Sequence, residues 1–116
     1  MSNLNSYPDA SELFEFFCTE PSFFDGEKGH FAYEISVGSE GVLIFSFSVV
    51  EGWVQTVLKF KDNVVTKFLS EGISEVWIST GTDNALCAQG GFNGSTVALR
   101  LRVYPDLCID WSILED

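Results

Sequence analysis

The chain has 116 residues, 46% hydrophobic and 15% aromatic. That is enough apolar side chain to fill the core of one globular domain spanning residues 1–116, and too much for a disordered chain. Seventeen acids against six bases give a net charge of −11, with nine acids and one base in residues 1–58, a field that repels nucleic acid and anionic membrane and favours a basic partner.

The N-terminal MSNLNSYPDA has neither the basic nor the apolar stretch of a secretory leader. No run nears the ~18 apolar residues of a membrane-spanning helix. Cys18, Cys87 and Cys108 are odd in number and widely spaced, which suits three reduced thiols better than a disulfide framework. Together these features predict a cytoplasmic protein.

The first element is a helix. Asp9 sits three residues before Glu12, a capping-box spacing that makes Asp9 the N-cap. Leu13, Phe14, Phe16, Phe17 and Cys18 fall on one side of the wheel, an arc wider than a surface helix needs. Such a helix either sinks into the core or meets something besides it. Pro21 is expected to end it.

After Gly29 the period changes to two. Phe31, Tyr33, Ile35 and Val37 alternate with Ala32, Glu34 and Ser36 in a half-buried strand. Gly38-Ser39-Glu40-Gly41 is a turn, and Val42–Val50 reads as a central strand. Trp53–Phe60 forms the next. In VVTKFLSEG, Val64, Val65, Phe68 and Leu69 recur at helical spacing, which predicts a short second helix with Gly72 at C′. Strands follow at Glu75–Thr80, Ala85–Gln89, Thr96–Tyr104 and Leu107–Leu114, with turns at GTDN and Asn93-Gly94. The expected fold is α+β: a mostly antiparallel, strongly curved sheet of about seven strands with an N-terminal helix. In the last two strands the apolar positions must pair with each other. A Tyr104-Pro105-Asp106 loop achieves this by setting Leu101 opposite Ile109, Leu99 opposite Trp111 and Arg100 opposite Asp110.

No catalytic constellation emerges, and no enzymatic role is expected. His30 is the sole histidine and reads as a solvated loop residue. There is no nucleophile elbow, P-loop or dinucleotide-binding glycine motif. Nor is there a zinc or calcium ligand spacing, so no cofactor or metal is expected. The grouped bases Lys59/Lys61 and Arg100/Arg102 are too few to offset −11, so no nucleic-acid partner is expected.

Residues 14–31, FEFFCTEPSFFDGEKGHF, hold six phenylalanines among four acids and one lysine. Adjacent Phe23 and Phe24 cannot both be buried easily from a loop. In one reading Phe23 plugs the end of the sheet while Phe24 packs on the helix. In the other, one ring, with Phe24 the first choice, stays exposed near Glu20, Asp25 and Glu27 as an interface anchor within an acidic rim.

A phenylalanine-rich helix, the segment Pro21-Ser22-Phe23-Phe24-Asp25 and the strands that follow resemble small immunity proteins of bacterial polymorphic-toxin and contact-dependent inhibition systems. The likeness covers residues 9–60, and Phe24 stands where that family carries histidine. It implies a protein that binds a cognate toxin domain and blocks its active site, without membrane partners. The contact residues would be Glu20, Phe23, Phe24, Asp25, Glu27 and Glu34, and a basic, nuclease-type toxin would match the charge. Two other readings are an acidic nucleic-acid mimic and a small-ligand-binding module with its pocket inside a curved sheet. The acids are scattered among Phe and Gly rather than set in rows, which ranks the mimic lower.

Overall fold

The structure, a computed structural model, describes residues 4–81, 83–92 and 94–115. Thr82 of the GTDN turn and Asn93 of Asn93-Gly94 lie outside the described residues.

Helix α1 spans Ala10–Phe17 and starts as its sequence dictates. The Glu12 N–H donates to Asp9 Oδ1 (2.9 Å) and the Asp9 N–H donates to Glu12 Oε1 (3.1 Å), a reciprocal capping box. The helix ends before Pro21. Cys18 enters the left-handed region (φ 59°) and its N–H closes on Phe14 O at 2.7 Å. Leu13 and Phe17, four residues apart, are buried, whereas Phe14 is 46% exposed. The broad apolar arc is therefore split between core and solvent.

Among the described residues nine strands form two antiparallel sheets that are not strongly curved, where about seven in one strongly curved sheet are expected from the sequence. The first sheet has the order β1-β2-β3-β4-β5, with β1 Phe23–Asp25, β2 His30–Val37, β3 Gly41–Ser48, β4 Trp53–Phe60 and β5 Asn63–Ser70. The second has the order β6-β7-β8-β9, with β6 Ile73–Ser79, β7 Ala85–Phe92, β8 Ser95–Arg102 and β9 Cys108–Glu115.

The short second helix expected across Val64–Leu69 is strand β5 instead. Lys61 (φ 52°) and Asp62 (φ 66°) both take positive φ in a two-residue hairpin turn that pairs Phe60 with Asn63. A bulge explains the helix-like spacing. Leu58 pairs with Thr66 and Lys59 with Val64, which leaves Val65 extra and resets the alternation. The β-branched run Val64-Val65-Thr66 also favours a strand over a helix. Gly72 keeps a positive φ (74°), but in the crossing from β5 to β6. There Gly90 runs so close that a Cβ on it would lie 1.9 Å from Gly72 O.

The core lies between the sheets. Tyr33, Ile35, Leu43, Phe45, Phe47 and Val54 of the first sheet meet Val76, Leu86, Val97, Leu99 and Leu101 of the second, with Leu13 and Phe17 of α1. Residues 4–6 stitch the two sheets together. The Leu4 N–H donates to Val49 O (2.9 Å), the Asn5 N–H to Ser74 O (2.7 Å), and Ser6 O accepts from the Val76 N–H (3.0 Å).

Strands β8 and β9 pair in the expected register, Leu101 with Ile109, Leu99 with Trp111 and Arg100 with Asp110. The Arg100 guanidinium reaches Cys87 Sγ at 3.8 Å. Trp111, half-buried, joins the sheets on the far side. Its Nε1 donates to Thr56 Oγ1 of β4 (2.9 Å), and its ring packs on Phe68 of β5 with centroids 4.5 Å apart.

Trp111→Ala is expected to destabilise the protein by about 2–4 kcal/mol, below the full value for a buried tryptophan because the ring is only half covered. Trp111→Phe, which keeps the stack and loses the hydrogen bond, should cost about 1 kcal/mol. Urea denaturation of both variants checks this, and equal losses would mean that the ring's packing contributes nothing.

Candidate partner-binding surface

The six sequence-predicted residues gather at the β1 edge of the first sheet, but not on one face. Ser22 sets the start of β1 by donating its N–H to Ala32 O (2.8 Å). Asp25 closes the following turn by accepting the Glu27 N–H at 3.0 Å. Between them, Phe23 pairs with Ala32, Phe24 with Phe31 and Asp25 with His30. Strand alternation then sends the two adjacent rings to opposite faces.

Phe23 and Asp25 join the outer face of the sheet, which Glu34 also shares. Phe24 lies at the rim of the inner face, its ring 4.9 Å from Phe31, which in turn stacks on Phe47 at 5.2 Å. Phe23 is 49% and Phe24 60% exposed. Phe23 therefore does not plug the sheet, and Phe24 packs on Phe31 rather than on the helix. Glu27 lies in the β1–β2 turn, and Glu20 in the connection from α1. Burial, and then the Glu20 carboxylate, push the Tyr33 phenol above its ordinary pKa.

His30 is not a solvated loop residue. It opens β2, half-buried, with Phe23 on one side and Trp53 on the other, both at 4.9 Å between centroids. His30 and Trp53 are both register partners of Ser48, whose small side chain lets the two rings meet over it. Ser48 is fully buried there, donating to Lys28 O (3.0 Å) and accepting from the Glu51 N–H (3.1 Å). The Trp53 Nε1 donates to Glu51 Oε1 at 3.3 Å. The row Phe23–His30–Trp53 went unseen in sequence because His30 and Trp53 are 23 residues apart and only the sheet register unites them.

The outer face is more apolar than a wetted sheet face requires. Ile44 pairs with Val57 on it, and Gln55 with Leu69. Charge is partly graded across this sheet. Asp25, Glu27 and Glu34 outnumber Lys28 at the β1–β2 end, while Lys59, Lys61 and Lys67 outnumber Asp62 and Glu71 at the β4–β5 end, Lys61 in a loose exposed pair with Glu40 at 3.6 Å. Among the described residues no three His, Cys, Asp or Glu side chains converge as a metal site, and no helix is long and apolar enough to cross a membrane. The space between the sheets is filled by core side chains; the clefts are open to solvent and lie at the margins.

No protein-family model matches the sequence, and no curated protein does. Among solved structures, the chain is similar to one in the contact-dependent growth inhibition toxin–immunity protein complex from Klebsiella pneumoniae 342. The TM-score is 0.89 at 28% identity, over 98% of this chain and 100% of that one. The chain resembles an immunity protein of a contact-dependent inhibition system. The resemblance first drawn on residues 9–60 thus extends over nearly the whole chain.

Phe23→Ala and Phe24→Ala are each expected to change stability by no more than about 1 kcal/mol, since both rings are about half exposed or more. A loss above about 3 kcal/mol in thermal denaturation would return the ring concerned to the core. For Tyr33 the folded pKa is raised. Its contribution to stability is therefore complete below its ordinary value near 10 and declines as pH rises from there through the raised value. Tyr33→Phe should flatten that alkaline limb, and an unchanged limb would show that Tyr33 does not titrate there.

Proposed function

We propose that the chain is an immunity protein that binds a cognate toxin domain and neutralises it by covering its active site. The observation that carries this reading is the match, close to full length in both chains, to a chain of a toxin–immunity complex. Neutralisation by coverage needs no chemistry from this chain, so the proposed role is non-catalytic and needs no cofactor. The toxin domain would be met in the cytoplasm.

The proposed contact surface is the β1 edge, with Phe23 and Phe24 as anchors and Glu20, Asp25, Glu27 and Glu34 as the acidic rim. Support comes from the exposure of Phe23, Phe24, Glu20, Glu27 and Glu34, with Asp25 half-buried, and from the pairing of Phe23–Asp25 along β2. Aromatic rings already held by packing lose little freedom on binding, and acids around them match a basic partner. With a net charge of −11, the toxin domain that fits best is basic, of the nuclease type. The outer-face row of His30 and Trp53 extends the same surface.

The test uses a candidate toxin domain, sought in the reading frames beside this gene. Purified together, the two should form a 1:1 complex that abolishes toxin activity. The association rate should fall at least about tenfold between ~50 and ~500 mM salt, as screening removes steering. Phe24→Ala should weaken binding by about 1–2 kcal/mol while leaving the melting temperature nearly unchanged. A toxin that stays active in excess of this chain would overturn the immunity reading. A salt-independent association rate would overturn only the basic partner.

A further inference from the structure

A second recessed surface runs along α1, apart from the β1 edge. Two adjoining clefts of about 380 and 220 Å³ share Glu15, Phe16 and Asn84, forming one open groove. Ile78 of β6 lines one part, and Tyr104 with Pro105 of the β8–β9 connection the other. Asp83 lines the same part as Tyr104. The groove is thus walled by rings and a proline and carries carboxylates at both sides.

Two features bias it toward a cation. Glu15 and Asp83 both line it, one on the helix and one beyond β6. The last turn of α1 contains no base, so its terminal carbonyls leave that end of the helix negative. Cys18 lies at this end, its thiol turned back to donate to Glu15 O at 3.6 Å. Arg102 comes within 3.9 Å of Asp83, but its tighter bond is to Asp106 at 2.9 Å, reinforced by Nε donating to Asp106 O at 3.3 Å. Glu12 is committed elsewhere, to the Asp9 N–H. Glu15 forms no ion pair among the described residues, and Asp83 shares Arg102 with Asp106 through the longer of its two contacts, so both carboxylates keep charge to offer a ligand. The apolar groove beside β4 and β5 differs in sign: Lys59 lines it with Leu58, Phe60, Val65 and Leu107, and no carboxylate does.

We propose that the α1 groove receives an arginine or lysine side chain projecting from the toxin partner. The aliphatic stem would lie on Phe16, Tyr104 and Pro105, and the charged head between Glu15 and Asp83. Long basic side chains are built for such a site, an apolar stem ending in a cation. Arginine fits best, because its flat guanidinium also stacks on a ring such as Tyr104. The proposal deepens the immunity reading and rests on it, adding a contact region outside the six residues at the β1 edge.

The deciding experiment measures affinity for a candidate toxin domain, sought in the reading frames beside this gene, at ~150 mM salt. The variant is Glu15→Gln with Asp83→Asn. The control is Asp62→Asn with Glu71→Gln, which removes the same formal charge at exposed positions beside β5. The groove variant should bind at least about tenfold more weakly and the control less than about twofold. Equal losses, or none, with wild-type binding intact would overturn the groove site and leave the immunity reading standing. A wild-type chain that fails to bind the toxin would overturn the immunity reading itself. The groove is then tested on the chain alone, by titrating N-acetyl-argininamide into isotope-labelled protein. Shifts confined to the amides of Phe16, Cys18, Asn84 and Val103 support the cation site, and shifts spread over all the acidic turns overturn it.

Discussion

A continuous run of aromatic rings holds the molecule together. Phe17 of α1 stacks on Tyr33 at 4.7 Å and leans on Phe45 at 5.5 Å. Phe45 meets Phe47 at 5.9 Å, Phe47 stacks on Phe31 at 5.2 Å, and Phe31 carries Phe24 at 4.9 Å. The run docks the helix on the central strand, fills the space between the sheets and comes out at the β1 edge. The abundance of phenylalanine in residues 14–31 follows from this: one stretch supplies both the helix plug and the emerging end. Because Phe24 rests on a packed ring, it is an exposed residue with little freedom left to lose, which suits the anchor role proposed for it.

Strand order also places the charge. β1 and β5 are opposite edges of one five-stranded sheet, about 19 Å apart at four strand spacings. That exceeds the ~8 Å screening length at physiological salt. On the β1–α1 side proposed for a basic partner, Glu20, Asp25 and Glu27 outnumber the single Lys28, and Lys59, Lys61 and Lys67 are too distant to add much repulsion.

The features that were legible in sequence are those set by local chemistry or by parity. The Asp9–Glu12 box is a matter of spacing within one turn. The β8–β9 register follows because a one-residue slip would turn Leu99 and Leu101 to solvent. Strand β5 was misread because the bulge at Val65 breaks the alternation and mimics helical spacing. β1 escaped notice because three residues carry no period. The division into two sheets was not legible, since hairpins reveal their neighbours but not which faces stack. Likewise residues 4–6 act through backbone groups, and side-chain pattern does not report those. At the candidate surface, the exposure of one ring, Phe24 first, could be argued from the adjacency of Phe23 and Phe24; that both are exposed follows from β1 lying at the sheet edge. The partnership of His30 and Trp53 across Ser48 could not, because it needs two registers at once.

The most direct test is hydrogen–deuterium exchange of this chain, free and mixed with a toxin domain that it neutralises. Backbone amides protected by a partner exchange more slowly, so the footprint reports the covered side. Slowed exchange across Glu20–Glu34 and along α1, with β5 unchanged, is the expected result. Slowed exchange at the β5 and β9 edges, with Glu20–Glu34 unchanged, would contradict the assignment of the acidic, aromatic side as the toxin-binding surface.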